Sequence, residues 1–177
     1  MKSSSLFLLV ALFSVRVFSQ TTFSPGYIVK NGDTLRGTLK VDRQKDLMLR
    51  VSFRKDGRTD PTEYTPSDIS AFRYDDGALY QTISFVNTAE ANRVTETFFG
   101  QTLVSGAYSL YRVDKKEATY YIVRKDTSTY FLYDDKISGS DVVNGNYRSL
   151  LLLFSSGCEG LDQSRASYTD KSLMGFM

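Results

Sequence analysis

Apolar and polar residues alternate with a period of two along most of this chain. Leu35, Leu39 and Val41 are interleaved with Thr34, Arg36, Thr38 and Lys40, which is the pattern of a strand with one buried face. Asn31-Gly32 stands just before it, a pair suited to the left-handed backbone of a two-residue hairpin turn. That turn sets Lys30 opposite Asp33 and Ile28 opposite Leu35. A three-residue loop sets Tyr27 opposite Leu35 instead. The first register is preferred because it gives one charge pair and one apolar pair across the hairpin.

The same alternation recurs downstream. A charged loop is expected at 42–46. Leu47, Leu49, Val51 and Phe53 then alternate with Met48, Arg50, Ser52 and Arg54, predicting one long strand. Asp56-Gly57 turns the chain into a return strand at Thr62-Glu63-Tyr64. Thr65-Pro66-Ser67-Asp68 reads as a one-turn helix start, with Thr65 as N-cap and Asp68 as the capping-box acid. Strands are predicted at 69–74 and 79–86 around Asp76-Gly77, with Leu79, Ile83 and Phe85 on one side. A polar loop follows at 87–94. Further strands are expected at 95–104, 107–113, 118–124 and 128–133. Ser105-Gly106, a charged turn at 114–117 and Lys125-Asp126-Thr127 separate them.

Beyond Asp134-Asp135 the alternation stops. The run 147–154, with four consecutive leucines before Phe154, reads as a short helix closed by Gly157. A second helix is expected over 167–177, its start marked by a capping box from Ser167 to Asp170. The fold class is therefore mainly β: an antiparallel meander of about eight to ten strands with a short helical carboxyl-terminal part. A sandwich, a partly open barrel and a curved sheet are all compatible with it.

The first residues do not belong to this pattern. Lys2 precedes the apolar run 6–13, and Val17-Phe18-Ser19 precedes Gln20. This is the layout of a secretory signal peptide. The run is too short to cross a bilayer, which takes about 20 apolar residues. The expected division is a signal peptide at 1–19, an antiparallel β domain at 20–135 and a helical segment at 136–177. No transmembrane helix is expected in the mature chain.

Composition narrows the chemistry. Without the first 19 residues the chain carries 20 basic and 20 acidic residues, so no net charge draws it toward nucleic acid. Histidine is absent and Cys158 is the single cysteine. That removes histidine-dependent nucleophilic catalysis, histidine-ligated zinc, cysteine-cluster metal sites and any internal disulfide. No cofactor is called for, and Cys158 reads as a buried thiol. Ser52-Phe53-Arg54-Lys55 copies a Ser-x-x-Lys motif, but that motif needs a helix to bring its two residues together. Asp75-Asp76 and Asp134-Asp135 read as turn residues, because adjacent carboxylates rarely flank one bond. Lys115-Lys116 reads as a solvated turn. The tyrosines at 108, 111, 120, 121, 130 and 133 suit cross-strand packing. Tyr108, Tyr111, Tyr120 and Tyr130 are the candidates for an aromatic binding surface.

Certain motifs resemble a family of uncharacterised exported envelope proteins of Gram-negative bacteria. The opening has Gly26, Tyr27, Ile28, Gly32, Asp33, Thr34 and Gly37. A Tyr-Thr-Pro-Ser-Asp-Ile segment follows at 64–69. Leu103, Val104, Gly106, Leu110 and Tyr111 form the third motif, and Tyr147, Leu150 and Cys158 the fourth. In many members the β-rich module precedes an outer-membrane β-barrel. The resemblance implies an exported protein, in the periplasm or at the outer membrane or cell surface, with an envelope protein or such a barrel as partner. This chain ends where a barrel would begin, as expected of a short or a truncated member. None of these motifs is catalytic. The leading expectation is a non-enzymatic module that binds a protein or a surface. A small-ligand-binding barrel and a carboxylate-dependent hydrolase are the alternatives.

Overall fold

Asn31 and Gly32 take φ angles of 53° and 87°, and the chain reverses there in two residues. Lys30 then faces Asp33 and Ile28 faces Leu35, the first of the two registers. This hairpin opens a computed structural model that describes residues 22–86, 94–115, 118–133, 146–154 and 166–177. The signal-peptide segment, the loop at 87–93, Asp134-Asp135, Gly157 and Cys158 lie outside the described residues.

Ten strands form one antiparallel sheet: β1 (Phe23–Lys30), β2 (Asp33–Lys40), β3 (Val51–Lys55), β4 (Thr62–Tyr64), β5 (Ala71–Tyr74), β6 (Leu79–Val86), β7 (Thr95–Val104), β8 (Tyr108–Asp114), β9 (Thr119–Lys125) and β10 (Ser128–Leu132). Their order across the sheet is β10-β9-β8-β7-β6-β5-β1-β2-β3-β4. The sheet is not closed into a barrel. Three helices accompany it: α1 (Gln44–Leu47), α2 (Tyr147–Phe154) and α3 (Asp170–Met174).

The sheet is strongly curled. Segment 65–70 carries the chain from β4, at one edge, back to β5 beside β1. Three strand spacings of about 4.8 Å, or about 14 Å, separate β4 from β1 along a flat sheet, so contact between these two strands requires curvature. Lys30, at the end of β1, accordingly lies 5.1 Å from the centre of the Tyr64 ring on β4. The second half curls as well. Phe85 on β6 and Phe131 on β10 stack at 5.2 Å with their rings 6° from parallel.

Two hydrophobic clusters follow. One holds Ile28, Leu39, Val51, Phe53, Phe72, Phe99 and Phe131 with Leu47 and Met48 of the α1 turn. The other lies between β8–β10 and the two carboxyl-terminal helices, and contains Leu110, Tyr121, Val123, Leu132, Leu151 and Leu173. Strands β8 to β10 are thus covered on both faces. This explains why consecutive residues such as Tyr121, Ile122 and Val123 are all buried, although neighbours on a strand point to opposite sides.

Several boundaries differ from the sequence pattern. The strand expected from Leu47 begins only at Val51, and part of the loop at 42–46 is α1. Leu47 and Met48 are both buried while Leu49 is exposed, so the period of two fails there. The Met48 carbonyl accepts from the Phe99 amide at 2.9 Å, which ties the turn to β7. At Thr65 no helix forms. Asp68 does accept from the Thr65 amide at 2.8 Å and from its hydroxyl at 2.6 Å, and the Asp68 amide donates to the Thr65 carbonyl at 3.0 Å, but the chain leaves after that single turn. The last helix is shorter than expected. Its N-cap is Thr169, which accepts from the Ser172 amide, in place of Ser167.

Candidate functional site

A cleft of about 580 Å³ opens between α1, the start of β7 and the β8–β9 turn. Arg43, Lys45, Asp46, Met48 and Leu49 supply one wall. Glu96 and Phe98 supply the floor, and Asp114, Lys115 and Tyr120 the far wall. Glu96 and Phe98 lie two residues apart on β7, so both point to the same side of the sheet.

Lys115 is the centre of this cleft. Its ammonium pairs with Glu96 at 2.5 Å and lies 5.1 Å from the Phe98 ring and 5.5 Å from the Tyr120 ring. The electron-rich ring faces attract the cation, and only 26% of its side chain is exposed. The solvated turn expected from Lys115-Lys116 is corrected at Lys115: the side chain folds back onto two aromatic rings. On the opposite wall Arg43 pairs with Asp46 at 2.9 Å. Asp114 is held by Arg112 at 3.0 Å and accepts from the Thr119 hydroxyl at 2.5 Å. Leu49 stands at the rim, 57% exposed.

The four tyrosines proposed as an aromatic surface fall into two pairs. Tyr111 and Tyr120 belong to the first hydrophobic cluster, and Tyr108 and Tyr130 to the second. Tyr111 is fully buried. Its hydroxyl donates to Gln81 at 2.9 Å, and the Arg124 guanidinium reaches both that hydroxyl and Gln81. Tyr108 and Tyr130 pack on Phe154 of α2 at 5.3 and 5.1 Å between ring centres. Of the four, Tyr120 lines the cleft. Tyr121, on the other face of β9, donates to Asp170 at 2.6 Å, and Arg112 pairs with the same carboxylate at 2.8 Å. These two contacts fasten α3 to the sheet. Burial first, then the Asp170 carboxylate, push the Tyr121 phenol upward.

The remaining candidates sit apart. Asp75 pairs with Arg36 at 3.0 Å on the exposed surface. Ser52 and Lys55 lie on β3, where a separation of three places them on opposite faces. Among the described residues no three histidine, cysteine or carboxylate side chains group as metal ligands, and no helix is long and apolar enough to cross a membrane. Sequence pattern did not bring Lys115, Glu96, Phe98 and Leu49 together, because their proximity depends on α1 folding over β7. The one local signal was Glu96-Thr97-Phe98, an acid and an aromatic on the same side of a strand.

Comparison with known proteins finds no matching family model, no similar curated protein and no similar solved structure.

Proposed function

We propose that this chain is an exported, non-enzymatic module of the cell envelope that binds another protein through the cleft beside α1. The observation that carries the reading is the make-up of that cleft. Its charges are largely neutralised in pairs, Arg43 with Asp46 and Lys115 with Glu96, while the apolar Leu49 stands exposed among them. An apolar contact point within a ring of satisfied polar groups is the usual anatomy of a protein interface. The interior offers less to a small ligand, because Phe85, Phe131 and Ile122 are packed within the curl.

Export rests on the charged, apolar and small-residue order of the first 19 residues. The envelope partner, including an outer-membrane barrel, rests on the sequence resemblance. Two measurements test the proposal. Protein recovered from the envelope fraction is expected to begin at Gln20; retention of Met1 overturns export. Cross-linking in intact cells is expected to capture a specific envelope protein with the wild type and to lose it with Leu49→Asp. Equal capture by both overturns the cleft as the binding surface.

A further inference from the structure

The two edges of this sheet are built differently. At one end β4 has only three residues. It follows Pro61 and carries Glu63, which pairs with Arg50 at 3.5 Å. Shortness, proline and charge are the devices that keep a sheet edge from recruiting another strand. At the other end β10 reads Ser-Thr-Tyr-Phe-Leu and has none of them.

Among the described residues a second unpaired edge faces β10. Strand β5 pairs with β6 only from Leu79 to Gln81, with one further bond from the Thr82 amide to the Ser70 carbonyl at 2.8 Å. Strand β6 continues to Val86, paired with β7 on its other side. Backbone groups on one edge of a strand recur every second residue, so Ser84 and Val86 present theirs on the same side as Thr82. The curl brings this half of β6, which no described strand pairs on that side, against β10, leaving a cleft of about 450 Å³ lined by Ser84, Phe85, Val86, Thr129, Phe131 and Asn146 among others. None of the described residues that line it is charged. Strands β6 through β10 are successively antiparallel, so β6 and β10 run parallel. One strand antiparallel to both can therefore pair with both.

Asn146 already occupies one end of this seam as a stand-in for such a strand. Its side-chain amide donates to the Phe131 carbonyl at 2.7 Å, and its carbonyl oxygen accepts from the Tyr133 amide at 2.9 Å. Those are the bonds that a neighbouring peptide unit would make. Two residues back along the same edge, Thr129 offers the next N–H and C=O.

We propose that the seam between β6 and β10 accepts an extended, uncharged segment of a partner protein as an added strand. This goes beyond the cleft beside α1 by adding a second surface to the binding module, and it rests on that reading. The segment would run antiparallel to β6 and β10, with alternate apolar side chains directed at Phe85 and Phe131. Two strand spacings are about 9.6 Å, so entry parts the Phe85–Phe131 stack. Backbone pairing supplies affinity and alternate side chains supply selectivity, as in other strand-addition sites.

The test uses the full mature chain and a fluorescent peptide copying the uncharged part of β9, Thr-Tyr-Tyr-Ile-Val, from the native antiparallel neighbour of β10. Fluorescence anisotropy is expected to show saturable binding, weakened at least about tenfold by either of two variants. Thr129→Pro removes an N–H that points away from β9, and Ser84→Lys adds a charge at an exposed position. Circular dichroism and thermal unfolding verify that both variants fold. A peptide N-methylated at alternate residues keeps the side chains and is expected not to bind. Absence of binding, equal binding by the N-methylated peptide, or unchanged affinity in either variant overturns the seam, as does occupation by a second copy, seen as dimerisation abolished by Ser84→Lys. If Thr129→Pro still captures the envelope partner that Leu49→Asp loses, the binding module stands and the seam fails.

Discussion

Glycines show how much a single residue decides here. A Cβ on Gly26 would lie 2.3 Å from the Arg73 carbonyl oxygen, and one on Gly37 would lie 2.2 Å from that of Arg54. These neighbours are backbone atoms of the adjacent strand and cannot move without the ladder. A Cβ on Gly100 would meet the Ile83 Cδ1 at 2.4 Å, the far end of a side chain that can rotate. Gly26→Ala is therefore expected to lower stability by about 3 kcal/mol or more, and Gly100→Ala by about 1–2 kcal/mol; equal losses in thermal unfolding would refute the distinction. Asp68 gives a second residue-scale test. The Thr65 hydroxyl, then the Thr65 amide, hold its carboxyl below the ordinary range. Its lowered value means that the contribution to the turn is present above about pH 4 and fades as pH falls through the folded value. An NMR titration returning an ordinary carboxylate midpoint would contradict this.

At the scale of elements, α2 carries the clearest contrast. Leu151 is fully buried against the sheet, whereas Leu152 is 57% exposed. Leu151→Ala is expected to cost about 2–5 kcal/mol through the cavity it leaves, and Leu152→Ala less than about 0.5 kcal/mol. Denaturant titration of both variants separates them, and comparable losses would mean that α2 does not dock as described. The helix was legible because four leucines in a row cannot be a half-buried strand. Its docking face was not legible, since every position in that run is equally apolar. The α1 turn shows the opposite failure. Leu47 to Phe53 alternates in sequence, yet contact with Phe99 bends the first part into a helical turn, because burying Leu47 and Met48 together outweighs the local preference for a strand.

For the whole molecule, the buried phenols set an upper limit to the pH range of the fold. Tyr74 is pushed up by burial and then by Tyr80 and Asp42; Tyr80 by burial and then by Asp114; Tyr121 by burial and then by Asp170. Each raised value favours the neutral form in the folded state. The stability they contribute is complete below about pH 10 and is lost as pH rises through the folded values. Ultraviolet titration is expected to show a group of tyrosines that ionise only together with loss of the β-sheet signal. Ionisation of all tyrosines near their ordinary value with the sheet intact would refute it. The sequence by itself determined most strands, the hairpin register at Asn31-Gly32 and the helix at 147–154, because turn chemistry and side-chain period act between near neighbours. Tertiary structure alone decided that the sheet curls without closing. It also placed Lys115 between Phe98, Tyr120 and Glu96 and set β6 beside β10. Those arrangements join residues far apart in the chain, and no local pattern encodes the curvature that brings them together.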